Sequence, residues 1–149
     1  MTGSETQPSM GWLEGREHVL AVRIYYEDTD FTGVVYHANY LRYFERGRSD
    51  FLRLAGISHQ GLMQLPDPAA FTVTKITVEF KRAARVDDAL MVRTTYDAVM
   101  GARLMVSQRI FRGDDLIATA EVEAACIGLD GRPRRPPPAL LDAVRPLFP

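Results

Sequence analysis

The chain has 149 residues, of which 46% are hydrophobic and 25% charged, a composition typical of a single globular domain. Its formal net charge of −1 gives no overall attraction to nucleic acid or to an anionic membrane surface. The single cysteine cannot form an intramolecular disulfide, and no apolar run approaches the roughly 18 residues of a membrane span. We therefore expect a cytoplasmic protein with no nucleic-acid partner and no membrane span.

The N-terminal segment, residues 1–16, is polar and rich in Gly, Ser and Thr, and it lacks the basic and apolar regions of a signal peptide. This composition predicts a flexible leader followed by one domain over residues 17–149. The first strand is predicted at residues 18–27, HVLAVRIYYE, because the segment is short and rich in β-branched and aromatic residues.

The next element is a predicted helix over residues 40–55, with Asn39 as its N-cap and Gly56 just past its end. Gly47 lies within its apolar stripe, where glycine costs about 1 kcal/mol relative to alanine. A glycine retained there indicates that another backbone packs closely against the helix. Apolar residues at three- and four-residue spacing support this prediction: Tyr40, Phe44, Gly47 and Phe51.

The rest of the chain changes to a period of two, which is typical of strands that are buried on one face. Four such segments follow one another and are joined by turn-like links, before a proline-rich connection to a short helix at about 138–145. Cys126, in the last strand, is predicted to be a small buried hydrophobe. The pattern indicates an α+β fold in which one helix covers an antiparallel sheet. The four segments are residues 70–82, 90–96, 103–111 and 116–129.

The sharpest chemical candidate is Asp30, in the loop between the first strand and the helix, where catalytic side chains are often placed. Asp28 and Asp30 are equally suited to be turn or capping residues, and spacing alone favours that interpretation. Gly33 permits a tight bend before the helix, and the first N–H groups of a helix can hold a developing oxyanion. His37 stands alone, with no second histidine or cysteine at metal-ligand spacing, so we predict no metal site.

Other charged residues are weaker candidates for a catalytic or substrate-binding role. Glu45, in the middle of the helix, is a rival carboxylate, although a solvated helix face beside neighbouring arginines is the favoured interpretation. Two basic clusters could bind phosphate groups or be solvated. The clusters are Lys81, Arg82 and Arg85, and Arg132, Arg134 and Arg135.

Taken together, the segment YYEDTDFTGVVYHANYLRYFERGRSDFLR closely resembles the signature of the hotdog-fold acyl-CoA thioesterases. The nearest branch is the 4-hydroxybenzoyl-CoA thioesterase-like group, which includes the Tol-Pal-associated thioesterase. The resemblance continues through FTVTKITVEFKRAARVDD and SQRIFRGDDLIATAEVEAACIGLDGRPRRPP, and so covers roughly residues 19–140.

This resemblance implies a curved antiparallel sheet of about five strands around one long helix. It also implies a homodimer or a dimer of dimers with active sites at the subunit interface. The substrate would be an acyl-CoA, with no separate cofactor, and acyl carrier protein is a further potential partner.

Transferred to this sequence, the family's catalytic carboxylate is Asp30, and the backbone N–H of His37 is the oxyanion donor. The imidazole of His37 matches a histidine of the Tol-Pal-associated branch. The loop that aims the donor includes Gly33, Val34 and Tyr36. The resemblance also implies substrate-binding residues: Tyr36, Tyr40 and Phe44 for the acyl group, and Lys81, Arg82, Arg85, Arg132, Arg134 and Arg135 for CoA.

Two alternatives stay open at this level. In a second hotdog arrangement the catalytic carboxylate lies on the central helix, where it would be Glu45. The chain could also be a binding module for acyl-CoA or acyl carrier protein that does not turn its ligand over.

Overall fold

The computed structural model describes residues 6–149. One long helix, two short helices and six strands make up the fold, in the chain order β1, β2, α1, α2, β3, β4, β5, β6, α3. Their bounds are Trp12–Glu14, Glu17–Arg23, Asn39–Leu54, His59–Met63, Ala70–Phe80, Ala89–Met100, Arg103–Arg112, Asp115–Ile127 and Pro138–Val144.

The six strands form one antiparallel sheet with the order β1-β2-β4-β5-β6-β3. Strands β4, β5 and β6 are joined by tight hairpins, whose turns contain Gly101 and Gly113 with positive φ values of 63° and 58°. The predicted α+β hotdog class is therefore confirmed, with six strands rather than about five. The strands do not lie in chain order, because β3 pairs with β6 and β2 pairs with β4.

Helix α1 packs on the inner face of the curved sheet and forms the centre of the core. Its side chains Phe44 and Phe51 are 0% and 1% exposed. A Cβ atom on Gly47 would lie 2.8 Å from both Thr94 Oγ1 and Val92 Cγ1. Only glycine allows so close an approach. The predicted close packing of the sheet against Gly47 is confirmed, but the approaching atoms belong to side chains of the sheet rather than to its backbone.

Several predicted boundaries need correction. The first strand ends at Arg23 rather than near residue 27, because the chain turns into a 3-10 helix at Tyr26–Asp28. Trp12–Glu14, assigned to the flexible leader, form β1 and pair with β2. A three-residue strand is too short to show a period in sequence. Residues 1–5 of the predicted leader lie outside the described residues.

The start of α1 also differs in detail. Ala38, not Asn39, is the N-cap, and it has no side chain that could accept a hydrogen bond from the first turn. Asn39 is instead the first helical residue, and its side-chain amide is used in a contact described below. The predicted helix end is confirmed, since Gly56 has a φ of 88° directly after the C-cap Ala55.

Strand β3 forms one edge of the sheet, and within residues 6–149 no strand pairs with its outer side. Its eleven residues contain an irregularity in the pairing with β6 between Val73 and Lys75. Val73 and Phe80 on this strand are 44% and 51% exposed, which is unusual for large apolar side chains on a long edge strand.

Strand β6 contributes Cys126, whose side chain is 0% exposed and packs with Leu62 and Ala69. Burial raises the pKa of its thiol. The prediction that Cys126 is a buried hydrophobe is confirmed. Across residues 6–149, none of the helices combines the length and the apolar character that crossing a bilayer requires.

Candidate active site

The loop between β2 and α1 is closed by its own backbone. The N–H of Asp30 donates to Val34 O at 2.9 Å, and the N–H of Gly33 donates to Asp30 O at 3.1 Å. Gly33 has a φ of 89°, which the missing Cβ makes accessible. The same loop is tied to the segment before β4, because Val35 N–H donates to Ala84 O at 2.8 Å. The loop therefore holds Asp30 in a fixed position.

The carboxylate of Asp30 is half-buried and accepts two hydrogen bonds from Thr32. The Thr32 N–H and hydroxyl lie 2.8 Å and 2.5 Å from Oδ1. The bond from the Thr32 hydroxyl is the largest cause of a lowered pKa for this carboxyl, and the nearby His37 acts in the same direction. A hydrogen bond from the backbone of Val34 also lowers the pKa of this carboxyl. Asp30 is thus held as an ionised carboxylate.

Asp28 has a different role from Asp30, although it lies only two residues earlier. Its Oδ2 accepts the N–H of Tyr25 at 2.8 Å, and its Oδ1 accepts from Asn39 Nδ2 at 3.1 Å. The backbone oxygen of Asp28 accepts the N–H of Tyr36 at 2.9 Å. Asp28 is therefore a structural residue that fixes the loop to the start of α1.

The backbone N–H groups at the beginning of α1 are free to bind a ligand. Within residues 6–149, neither His37 N–H nor Ala38 N–H has a hydrogen-bond partner. They lie where the partial positive charge of the helix dipole is concentrated. An oxyanion that forms next to them would be stabilised.

A groove of about 320 Å³ opens beside these donors. It brings the helix start together with the end of β3 and the residues that follow it. The imidazole of His37 is exposed and lies edge-on to Phe80, with 6.3 Å between ring centroids. The groove is lined by Val35, His37, Tyr40, Phe80, Lys81, Arg82 and Ala83.

The three residues predicted to bind the acyl group differ in how far they are exposed to a substrate. Tyr36 is 47% exposed next to His37, as a substrate contact requires. Tyr40 lines the groove but is only 4% exposed, and its hydroxyl accepts the N–H of Ala84 at 3.2 Å. Phe44 is completely buried in the core and does not line the groove at His37. We therefore assign Phe44 to the core rather than to the substrate surface.

The basic residues predicted to bind CoA fall into two groups. Lys81 and Arg82 lie at the groove, where they pair with the exposed acids Glu79 at 2.6 Å and Asp115 at 3.5 Å. Exposed pairs of this kind are weak and exchange easily with another anion. Arg85 follows them in the segment that pairs with Val34.

The second group lies at the opposite end of β3, beside the end of β6, where Ile127 pairs with both Ala70 and Pro133. Arg132 and Arg135 are exposed there. Arg134 is not available, because it bonds to the backbone oxygen of Asp67 at 2.7 Å and to its carboxylate at 2.9 Å. The sequence prediction did not separate this structural arginine from its two neighbours.

Sequence reasoning also missed Thr32 and Phe80 as parts of the site. The Asp-x-Thr spacing was a usable signal for Thr32, since an aspartate often accepts a hydrogen bond from the residue two positions later. Phe80 looked like an ordinary core residue in an alternating strand. Within residues 6–149 there is no group of three or more His, Cys, Asp or Glu residues that could hold a metal ion.

A curved antiparallel sheet around one long helix, with a fixed acidic loop directly before the helix start, is the arrangement of the hotdog-fold thioester hydrolases. Residues 24–144 match the family model described as the thioesterase-like superfamily, and the chain belongs to this family.

Named relatives and a solved structure agree with this assignment. The acyl-CoA thioesterase YbgC of Haemophilus influenzae is 43% identical over 72% of this chain and 79% of its own length. The acyl-CoA thioester hydrolase YbgC of Escherichia coli is 42% identical over 80% of this chain and 90% of its own. The crystal structure of a probable thioesterase from Bartonella henselae superimposes with a TM-score of 0.79 at 41% identity, over 81% of this chain and 99% of that one.

Proposed function

We propose that this chain hydrolyses acyl-CoA to a free acid and CoA, with Asp30 as the catalytic carboxylate and His37 N–H as an oxyanion donor. The observation that supports this most directly is the lowered pKa of the Asp30 carboxyl, to which Thr32 and the nearby His37 contribute, in a loop that leads to unpartnered N–H groups at the start of α1. The names of the two YbgC relatives support acyl-CoA as the substrate.

In this mechanism the thioester carbonyl accepts a hydrogen bond from His37 N–H, and the helix dipole favours the charge that develops on its oxygen. Asp30 either attacks the carbonyl carbon, giving a mixed anhydride and CoA thiolate, or removes a proton from an attacking water. Both routes need the ionised carboxylate that Thr32 stabilises. A single turnover in ¹⁸O-labelled water separates them, because only the anhydride route can deliver an unlabelled oxygen from Asp30 to the product.

The decisive experiment is the Asp30→Asn variant in a thiol-release assay with a panel of acyl-CoA thioesters. We expect kcat to fall by at least about two orders of magnitude, since the amide is neither a nucleophile nor a base. Glu27→Gln is the matched control, because Glu27 is an exposed acid in the same loop. Activity near the wild-type value in a folded Asp30→Asn protein would disprove the assignment. If the wild-type protein bound acyl-CoA without releasing thiol, it would be a binding module.

Glu45 is the rival carboxylate. It lies on α1, where the hydroxyl of Ser49 donates to its Oε1 at 2.7 Å. It lines a separate cavity. Neither Glu45 nor Asp30 lines the groove at His37, but Asp30 lies close enough to His37 for the charge of that residue to add to the effect of Thr32 in lowering its pKa. We therefore expect Glu45→Gln to retain turnover of simple acyl thioesters where Asp30→Asn does not. The reverse result would transfer the catalytic role to Glu45.

We further propose that the protein is a homodimer in which two β3 edges pair. Large aromatic side chains surround the site in the single chain: Tyr26 is 86%, Phe31 101% and Phe80 51% exposed. Such a patch is typical of a surface that a second subunit covers. Sedimentation velocity is expected to give at least twice the chain mass of 16.7 kDa. A monomer with full activity would contradict this part of the proposal.

Pairing of the two β3 edges also brings the two basic groups together. A two-fold axis perpendicular to the sheet makes the strands antiparallel, so Arg132 and Arg135 of one subunit approach Lys81 and Arg82 of the other. We expect Arg82→Glu to raise the KM for acyl-CoA. The matching N-acetylcysteamine thioester, which has no phosphate groups, is the control substrate and its kinetics are expected to change little. Equal effects on both substrates would remove Arg82 from the CoA site.

Cytoplasmic location, the absence of a cofactor and an interaction with acyl carrier protein stay predictions from the sequence. Replacing CoA with acyl carrier protein in the same assay tests the last of these.

A further inference from the structure

Arg112, the last residue of β5, contacts the connection between β3 and β4, residues 81–88, whose first residues line the groove at His37. Its Nη1 donates to the backbone oxygen of Ala83 at 3.0 Å and to Oδ2 of Asp88 at 2.9 Å. Arg112 itself does not line the groove. One guanidinium therefore binds two points of the connection without being part of the surface that would meet a substrate.

The oxygen that Arg112 holds belongs to the same peptide group as the N–H of Ala84. That N–H donates to the hydroxyl of Tyr40 at 3.2 Å, so the peptide group is bonded on both sides. A peptide group is planar, and fixing its oxygen also fixes the direction of its N–H. Tyr40 is the second residue of α1 and is buried. Arg112 is thus connected through one peptide group to the helix start, where the proposed oxyanion donor lies.

A second series of hydrogen bonds leads from Ala84 to the loop of Asp30. The oxygen of Ala84 accepts the N–H of Val35 at 2.8 Å, and the oxygen of Val34 accepts the N–H of Asp30 at 2.9 Å. Val34 also forms a β-bridge with Arg85. The loop that carries the carboxylate and the start of α1 are therefore both attached to the connection between β3 and β4, and a displacement of that connection would move one relative to the other.

Asp88 links Arg112 and this connection to the core. Its Oδ2 accepts the N–H of Arg85 at 2.9 Å as well as the bond from Arg112, and its backbone oxygen accepts the N–H of Ile24 at 2.9 Å. Ile24 is completely buried. The side chains of Arg112 and Asp88 are partly buried, and such a pair is weakened less by solvent and salt than the exposed pairs at the groove.

We propose that Arg112 is a positioning residue for thioester hydrolysis. By holding the backbone of Ala83, it keeps the loop of Asp30 in place relative to the start of α1, and it touches neither the substrate nor the reacting groups. The inference rests on the proposed catalytic roles of Asp30 and His37. Its expected sign is a loss of turnover that does not depend on which thiol carries the acyl group.

The first experiment compares Arg112→Met with Arg109→Met in the thiol-release assay. Methionine keeps an unbranched stem and removes the donors. Arg109 is the matched control, because it lies on the same strand and pairs with Glu17 at 2.7 Å, away from the connection between β3 and β4. We expect kcat to fall about ten- to a hundredfold for Arg112→Met, the effect of misplaced catalytic groups. The kcat of Arg109→Met should stay within about twofold of the wild type. Equal kcat values for the two variants would overturn the proposal.

The second measurement uses acyl-CoA and the matching N-acetylcysteamine thioester with Arg112→Met. A residue that positions the loop affects the reaction of both substrates, so kcat should fall by the same factor for each. If the loss were confined to the CoA ester and appeared in KM, Arg112 would be a phosphate-binding residue and the proposal would be wrong.

Hydrogen exchange followed by mass spectrometry tests the attachment of the loop without any substrate. We expect peptides that contain the N–H groups of Asp30 and Val35 to exchange about tenfold faster in Arg112→Met, as the loss of a hydrogen bond from a charged donor would give. Peptides from the second half of α1 should be unchanged. Unchanged exchange in the loop, or equally faster exchange in both regions, contradicts the proposal. The second result would indicate a general loss of stability. Should Arg112→Met not fold, Arg112→Lys replaces it with the same expected direction, because lysine keeps the charge but not the geometry of the guanidinium.

The failures of the two proposals can be told apart. An active Asp30→Asn protein would disprove the catalytic assignment. Normal loop exchange and normal turnover in Arg112→Met, with an inactive Asp30→Asn protein, would disprove only the positioning role of Arg112.

Discussion

The side-chain amide of Asn39 donates to Asp28, with its Nδ2 3.1 Å from the carboxylate Oδ1 and 3.2 Å from the backbone oxygen. Asn39 is the first residue of α1 and only 8% exposed, whereas Asp28 ends the 3-10 turn that leads into the catalytic loop. The pair therefore connects the position of the loop to the position of the helix start, on which the proposed oxyanion site depends.

Removal of this connection is expected to affect both stability and turnover. Asn39→Ala leaves Oδ1 of the half-buried Asp28 without its donor, while Oδ2 keeps the N–H of Tyr25, and we expect the free energy of unfolding to fall by about 1–3 kcal/mol. Asn39→Asp should be worse, because it places a second negative charge next to Asp28. Urea denaturation and kcat measured on the same samples test this. An Asn39→Ala protein as stable as the wild type would show that the contact is unimportant.

The N–H of His37 can be tested separately from its imidazole. His37→Ala removes the side chain and keeps the N–H, whereas His37→Pro removes both, at a position near the helix start where proline is tolerated. We expect kcat for His37→Pro to be about a hundred- to a thousandfold below that of His37→Ala, the usual cost of losing an oxyanion donor. Circular dichroism checks that both variants fold. Equal kcat values would exclude the N–H from catalysis.

The pH dependence of turnover should respond to Thr32. Its hydroxyl is the main cause of the lowered pKa of Asp30, and the proposed mechanism needs the ionised carboxylate. Activity is therefore present above this pKa and lost as the pH falls through it. Thr32→Val removes the hydroxyl, so the pKa rises towards its ordinary value and the acid limb of kcat/KM moves to higher pH. Thr119→Val is the control, in strand β6 on the outer side of the sheet. An acid limb that does not move would mean that another group titrates.

Gly47→Ala has two opposite effects on stability, a gain in helix propensity and a loss from overpacking. Alanine gains about 1 kcal/mol in a helix interior, but its Cβ would lie 2.8 Å from Thr94 Oγ1 and from Val92 Cγ1, both in the buried sheet face. Overpacking usually costs about 1–3 kcal/mol, so we expect a net loss of stability. Denaturant midpoints of Gly47→Ala and the exposed-face control Arg42→Ala provide the comparison. A stabilised Gly47→Ala protein would contradict the close packing.

Periodicity predicted α1 and the strands β3 to β6 within a few residues, because each of these elements is long enough to show which face it buries. The order of strands in the sheet was not predictable in the same way. Alternation places Ile76 and Val78 on one face of β3, but it does not tell which strand lies beside them. The role of Arg134 was also hidden, since its partner Asp67 is 67 residues away in the chain.

The site itself was only partly accessible from the residues. The loop containing Asp30 stood out by its charge, yet Asp28 and Asp30 are chemically identical in the sequence. Only the structure distinguishes them, because the carboxylate of Asp28 accepts a hydrogen bond from Asn39 and that of Asp30 accepts one from Thr32. The position of Asp30 in the loop made it a candidate, and the resemblance to the family strengthened it, whereas spacing alone favoured a turn or capping role for both residues.

The complete burial of Cys126 has a practical benefit for the kinetic work proposed above. Each catalytic cycle liberates a sulfhydryl compound, which disulfide dyes such as Ellman's reagent report by a colour change. The native enzyme offers those dyes no accessible sulfur of its own, since its only cysteine is 0% exposed and has a raised pKa. Continuous colorimetric recording should therefore need no background subtraction while the enzyme stays folded, and slow reaction of Cys126 would itself signal that a variant is opening.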